Sequence, residues 1–243
     1  MSFGGPAGAI VYGQPAPEYD NVGSLVVVFE DGAGGTVVFQ WCSGTLVDDD
    51  TFLTAAHCLY GFDGLDLRVT FDDVVSDQAT LYTGQGIPHP EYTDFKGRNG
   101  RSDPRAVGVF QLDDAPQGIE PAELAPVGYL DAVADLRRQP VVAVGYGAVR
   151  ETRQQAFAAL LPGGERRKAQ QSVLSLTQAW LNLSMNQATG DGGTCYGDSG
   201  GPHFLDGLVV SVTSTGDAPC KALDTTYRVD TVVTQTFLQP FLD

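Results

Sequence analysis

Residues 194–213 read TCYGDSGGPHFLDGLVVSVT. As backbone, this is a glycine-rich turn that runs straight into a hairpin. Residues 203–205 and 208–213 are apolar or β-branched, and Asp206-Gly207 between them is a strong two-residue turn signal. As chemistry, Ser199 stands among Gly197, Gly200 and Gly201. Small neighbours let a substrate approach a nucleophilic serine and let backbone N–H groups face a developing oxyanion. Surface turns share this composition, so the stretch becomes a site only with a second constellation.

The same punctuation runs outward in both directions. Residues 23–30, 36–41, 44–47, 51–54, 65–71 and 106–112 read as strands, separated by Gly and Asp clusters such as Asp31-Gly32 and Asp48-Asp49-Asp50. A polar, turn-rich connection spans 113–139. A second set follows at 141–146, 171–176, 179–183, 203–205, 208–213 and 226–229. In 230–243, Val233, Phe237 and Phe241 recur every four residues, as one helical face would, with Asp230 placed to cap. The expected class is all-β with a terminal helix; many short strands with frequent turns build barrels or sandwiches.

Composition excludes several functions. The 243 residues include 30 Asp and Glu against 14 Lys and Arg, a formal charge of −16. Nucleic acid binding needs a cationic face, and an acidic membrane surface would repel this chain. Arg166-Arg167-Lys168 is the one basic cluster, expected as a solvated loop. Apolar runs are strand-sized, so no membrane span is expected. The opening MSFGGPAGAIVYG has no charged and apolar leader pattern; with an even count of four cysteines, it suggests an exported chain whose leader has been removed. Cys42, Cys58, Cys195 and Cys220 contain no CxxC pair, so neither a zinc site nor a cofactor is expected, and spacing alone leaves three pairings open.

The second constellation is Leu53-Thr54-Ala55-Ala56-His57-Cys58, which puts a histidine just past a strand and beside a cysteine. Taken with Trp41-Cys42-Ser43-Gly44-Thr45-Leu46, Cys195-Tyr196-Gly197-Asp198-Ser199-Gly200-Gly201-Pro202 and Ser211-Val212-Thr213-Ser214, it resembles the trypsin/chymotrypsin-type serine proteases, in particular secreted bacterial members. The resemblance runs from Ile10 to the terminal helix. It implies two six-stranded antiparallel β-barrels, at 10–125 and 126–243, with the site in the cleft between them. It makes His57 the general base and Ser199 the nucleophile, and it assigns the oxyanion hole to Gly197 and Ser199. Substrate would meet Gly193, Thr194, Ser214, Thr215 and Gly216. It also implies bridges Cys42–Cys58 and Cys195–Cys220, a protein or peptide substrate, secretion, and a monomer without metal.

One position departs from that pattern. The strand that should open on the triad Asp reads Ser102-Asp103-Pro104-Arg105-Ala106-Val107, which places Ala106 at the acid's position. Alanine cannot hold the imidazole tautomer or stabilise the imidazolium. A chain disabled by design, natural degeneration, and a substitute acid such as Asp103 all account for this; Arg105, which also departs, favours natural divergence. A non-catalytic homologue that binds a protein partner through the same cleft is the alternative function.

Smaller expectations complete the reading. Ile10-Val11-Tyr12-Gly13 resembles the family's activation terminus, whose freed amine would pair with Asp198, yet nine residues precede Ile10. Gly193 at the base of the primary pocket, with Thr225-Thr226 shortening one wall, predicts a short neutral pocket unless Asp217 or Asp224 turns inward. His89 reads as surface loop, His203 as structural, Asn182 as a sequon inside a strand, and Asp72, Asp73 and Asp77 as a solvated acidic turn, not a calcium loop.

Overall fold

The computed structural model describes residues 10–62, 64–93, 104–150 and 160–242. Asp103, the candidate substitute acid, lies outside them.

Six strands form the first sheet: β1 (Val22–Glu30), β2 (Thr36–Asp48), β3 (Thr51–Thr54), β4 (Asp66–Thr70), β5 (Gly84–Pro88) and β6 (Gly108–Leu112). Their order is β4-β1-β2-β3-β6-β5, all antiparallel. A bridge between Val69 and Tyr82 closes it into a barrel. The second sheet contains β7 (Pro140–Gly145), β8 (Arg167–Leu176), β9 (Trp180–Ser184), β10 (Pro202–Leu205), β11 (Leu208–Gly216) and β12 (Leu223–Arg228). It runs β8-β9-β12-β11-β10-β7, and β7 pairs back onto β8 to close the ring. Gln14–Pro15 adds to the free edge of β8, so this segment joins the second barrel before the chain builds the first.

Alternation sets the cores. Leu25, Leu46, Phe52, Val69 and Phe110 fill the first barrel; Val141, Leu181, Leu183, Leu205 and Val210 fill part of the second. Residues 36–48, expected as two strands, form one strand bent by a bulge opposite Leu25 and Val26. β5 was not expected: Gly-Gln-Gly-Ile-Pro lacks the β-branched alternation that marks a strand. Glycine is required there by its neighbour, because a Cβ at Gly84 would collide with the carbonyl of Gln111.

The barrels are joined by a residue that sequence alone places in solvent. Arg166 is 2 % exposed. It donates from Nε to the carbonyl of Val22 and to the Tyr146 hydroxyl, both at 2.9 Å, and pairs with Asp73 at 2.7 Å. It also donates to the carbonyl of Phe71. A guanidinium can be buried when its donors are spent in this way. Its neighbours stay nearer the surface, Arg167 pairing with Glu165 and Lys168 with Glu18.

The terminal helix α1 (Val232–Leu238) is capped by Thr231, whose side chain accepts from the N–H of Thr234. Asp230, expected as the cap, instead holds Arg228 at 2.8 Å and the N–H of Leu130. The helix reaches across to the first barrel, where Phe237 stacks on His89 and Thr51 Oγ1 donates to the carbonyl of Phe241. His89 is therefore buried, not a surface-loop residue, and its Nδ1 accepts from the N–H of Glu91. No helix among the described residues is long and apolar enough to cross a membrane.

Candidate active site

The glycine-rich turn folds as its residues dictate. Asp198 N–H reaches back to the carbonyl of Cys195 at 3.0 Å, and Gly201 N–H to that of Asp198 at 2.9 Å. Gly197 and Gly200 take φ of 96° and 82°, which side-chain-bearing residues rarely adopt. A Cβ on Gly200 would run into Thr54 and the carbonyl of Ser43. Gly200 donates to the carbonyl of Thr213 and Thr213 to that of Gly201, which stitches the turn to β11.

The first barrel grips this turn from the other side. Ser43 N–H donates to the carbonyl of Ser199 at 2.8 Å. The carbonyl of Gly197 accepts from Gln40 Nε2 at 2.8 Å and from Ser43 Oγ at 3.0 Å. With that carbonyl turned away, the N–H groups of Gly197 and Ser199 make no hydrogen bond within the protein among the described residues. Two fixed, unspent N–H donors beside a serine hydroxyl can hold an oxyanion. The roles of Gln40 and Ser43 escaped the sequence reading because each donates to a carbonyl more than 150 residues away.

Asp198 lies beneath the turn, fully buried. Its Oδ1 accepts from Gly147 N–H at 2.7 Å and its Oδ2 from Cys195 N–H at 2.8 Å. Burial is the leading cause that pushes its carboxyl up to about 8; the two N–H groups oppose it and the charge of Asp224 adds to it. No cation pairs with it among the described residues. Ile10 is buried against Ala143 and Ala169, and Val11 exchanges two hydrogen bonds with Gly193, so residues 10 and 11 already sit in the second barrel.

His57 lies in a single 3-10 turn, Ala56–Cys58, immediately after β3. Disulfides Cys42–Cys58 and Cys195–Cys220 are both formed and account for every cysteine. The first ties the His57 turn to β2, and the second ties the Ser199 turn to the loop after β11. Cys42, His57 and Cys58 place potential ligand atoms close together, but both sulfurs are bonded to each other and cannot take a metal. His57 and Ser199 line one cavity of about 550 Å³. Ala106 is fully buried, and its carbonyl accepts from the N–H of Ala56, the residue before His57. The position next to the histidine turn thus ends in a methyl group. On β11, Ser214 Oγ is buried without a hydrogen-bond partner.

A second cavity of about 300 Å³ runs from Ser199 past Thr194 and Ser214 to Gly216. Gly193 is buried behind it, where a Cβ would collide with the side chains of Met185 and Gln171. The expectation of a short neutral pocket loses its supports. Thr225 turns outward to Asn182, and Thr226 is spent on Ser211 and the carbonyl of Leu181. Asp217 accepts N–H groups of Lys221, Ala222 and Leu223 within its own loop. Asp224 turns inward, opposite Gly216 and fully buried. Its Oδ2 meets His203 Nε2 and Gln171 Nε2, both at 3.0 Å, while its Oδ1 has no partner. His203 is buried as expected, and Asn182 is occupied by Ser175 and Thr225. Asp72 and Asp77 accept the N–H groups of Thr80 and Val38, and Asp73 pairs with Arg166.

Comparison with known proteins agrees with this architecture. Trypsin from Saccharopolyspora erythraea is 31 % identical over 220 residues, covering 86 % of this chain and 87 % of that protein. Brachyurin from Leptuca pugilator is 28 % identical, over 82 % of this chain and 89 % of its own. The structure of neuropsin, a serine protease expressed in mouse brain, superposes with a TM-score of 0.69 at 21 % identity, over 96 % of this chain and all of that one, which is a likeness of fold. The trypsin family model matches residues 10–238, and the chain is a member of the trypsin family of serine proteases.

Proposed function

We propose that this chain is a serine endopeptidase that works through an acyl-enzyme on Ser199, with His57 as base, and that it is impaired because Ala106 occupies the position expected for the triad Asp. The observation that carries the chemistry is the pair of unspent N–H groups on Gly197 and Ser199, in a cleft shared with His57. Ser199 Oγ attacks the scissile carbonyl and passes its proton to His57. The oxyanion is held by the two N–H groups. His57 then protonates the departing amine, and water repeats the sequence to release the acyl half. Ser214–Gly216 offers a strand edge to the substrate backbone.

The impairment rests on Ala106, whose side chain offers no acceptor beside the His57 turn. The same observation favours a second reading, a homologue that binds a protein or peptide through the cleft without cutting it. Three further features belong to the first reading. The chain divides near residue 125 into a His57 half and a Ser199 half, acting as a monomer. It works in an oxidising, extracellular setting, consistent with two disulfides. Cleavage after Ala9 frees the Ile10 amine to pair with Asp198.

Active-site titration with a fluorophosphonate, before and after Ala106→Asp, tests the reading. Stoichiometric labelling of Ser199 in the variant, abolished by Ser199→Ala, is the expected result. Absence of labelling in every form would favour the binding homologue.

A further inference from the structure

The two cavities that meet at Ser199 receive different halves of a substrate, and chemistry assigns them. His57 must hand its proton to the departing amine, so the amine leaves on the side where His57 stands. His57 borders only the larger cavity of the two. The acyl half lies on the other side, along the Ser214–Gly216 edge. The larger cavity therefore faces the residues that follow the scissile bond.

Among the described residues, the lining of that cavity is mostly apolar and has no carboxylate, ammonium or guanidinium. Val38, Phe39, Trp41 and Val75 wall it from the first barrel, Pro162 and Tyr196 from the second. No Asp, Glu, Lys or Arg is among the described residues that line it, in a protein with a formal charge of −16. Gln40 also lines it, but its Nε2 is spent on the carbonyls of Cys42 and Gly197. Trp41 Nε1 donates to the carbonyl of Cys58 at 3.1 Å, which fixes the indole in the wall. Phe39 and Tyr196 stand at the rim 54 % and 59 % exposed. An apolar occupant would cover both rings, whereas a charged one would give up hydration with no partner in return. The volume of about 550 Å³ lies within the range of pockets that enclose small ligands.

We propose that this cavity selects large apolar side chains at the two residues after the scissile bond. The proposal rests on the serine-protease reading of Ser199 and His57, and names the leaving-group side of its substrate. A charged or very small residue there is disfavoured.

Two peptides test it, identical up to the scissile bond and continuing with Phe-Leu or Asp-Gly. Calorimetric binding to the Ser199→Ala chain is expected to favour the Phe-Leu peptide by at least about tenfold, the discrimination an apolar pocket supports. Cleavage by the Ala106→Asp chain is expected to favour it to a similar degree in kcat/KM. Replacing the exposed rim ring, Phe39→Ser, should shrink both ratios while leaving the thermal unfolding midpoint in place. Equal binding of the two peptides overturns the proposal, and so does an unchanged ratio in a folded Phe39→Ser chain. If Ala106→Asp cleaves neither peptide yet Ser199→Ala still prefers Phe-Leu, the protease reading fails and the apolar selection stands. If both are cleaved equally, the protease reading stands and the selection fails.

Discussion

The two barrels bring unequal halves to one cleft. On the second, the turn around Ser199 is held by a disulfide, by hydrogen bonds to β11, by Gln40 and Ser43 from across the cleft, and by Asp198 beneath it. On the first, the turn around His57 is also held by a disulfide, and Ala56 is tied to the carbonyl of Ala106. Backbone placement is finished on both sides. What differs is one side chain: the Ser199 half has its carboxylate at Asp198, and the His57 half has a methyl group at Ala106. Scaffold and side chain are thus separable at this position, since the Ala106 carbonyl holds the His57 turn whatever side chain residue 106 carries.

The largest expected effect repairs that asymmetry. Ala106→Asp should raise kcat/KM by about 10⁴-fold, the loss seen when a triad acid is replaced by its amide. Initial rates on an activated ester and on a peptide would measure it. If the unaltered chain is already fully active and Asp103→Ala abolishes that activity, a substitute acid completes the first barrel and the asymmetry disappears.

This difference was legible in the sequence because both turns are local motifs, and because Ala106 sits at a countable place in a strand. Eleven of the twelve barrel strands fall where the apolar alternation places a strand, apart from ends that move and two runs that merge. The twelfth, β5, is hidden by Gly84, Gly86 and Pro88, whose fitness for a strand depends on β6 alongside. Arg166 was misread and Gln40 missed for a related reason, and Asp224 was left open between two orientations. Each is a polar side chain buried by partners distant in sequence, and one-dimensional patterns treat polarity as exposure.

The disulfides offer a second comparison, with a smaller effect. Cys42–Cys58 spans 16 residues and Cys195–Cys220 spans 25. Loop-closure entropy makes each worth about 3 kcal/mol, with a difference of about 0.4 kcal/mol in favour of the longer loop. Paired Cys→Ser variants, unfolded in urea, should lose nearly equal stability. A loss confined to one barrel would show that the other bridge only follows a geometry already fixed by packing.

Asp198 gives the Ser199 half a pH dependence of its own. With nine residues ahead of Ile10, its carboxyl is pushed up to about 8 by burial, above the ordinary value of 3.8. A raised acid favours the protonated native state, so its stabilising contribution is full below about pH 4 and is lost as pH rises through 8. The chain as written should therefore unfold at lower urea at pH 8.5 than at pH 5. Cleavage after Ala9 supplies an amine that favours the ionised form, and should remove the decline between pH 5 and pH 7. A midpoint independent of pH in both forms would remove Asp198 as the link between processing and the turn.

The smallest effect concerns the primary pocket, where the second barrel is again the more elaborate half. Asp224 lies one hydrogen bond behind the Gly193 position: Gln171 Nε2 would meet a Cβ on Gly193 and donates to Asp224 at 3.0 Å. Asp224 Oδ1, Gln171 Oε1 and His203 Nδ1 are buried polar atoms with no hydrogen-bond partner. Such unmatched buried polar atoms are costly, and the charge of Asp224 favours a cation entering the nearby pocket. Neither the carboxylate nor Gln171 is among the described residues lining the cavity, so the attraction acts at a distance and not by direct pairing. A modest preference for Arg or Lys before the scissile bond follows, on the order of tenfold over a small apolar residue. Library profiling of Ala106→Asp would read it, and Asp224→Asn should erase it while the preference beyond the bond stays in place. A pocket that favours small apolar residues, unchanged by Asp224→Asn, would mean that His203 and Gln171 already neutralise the carboxylate and that the selectivity of this cleft lies wholly on the leaving-group side.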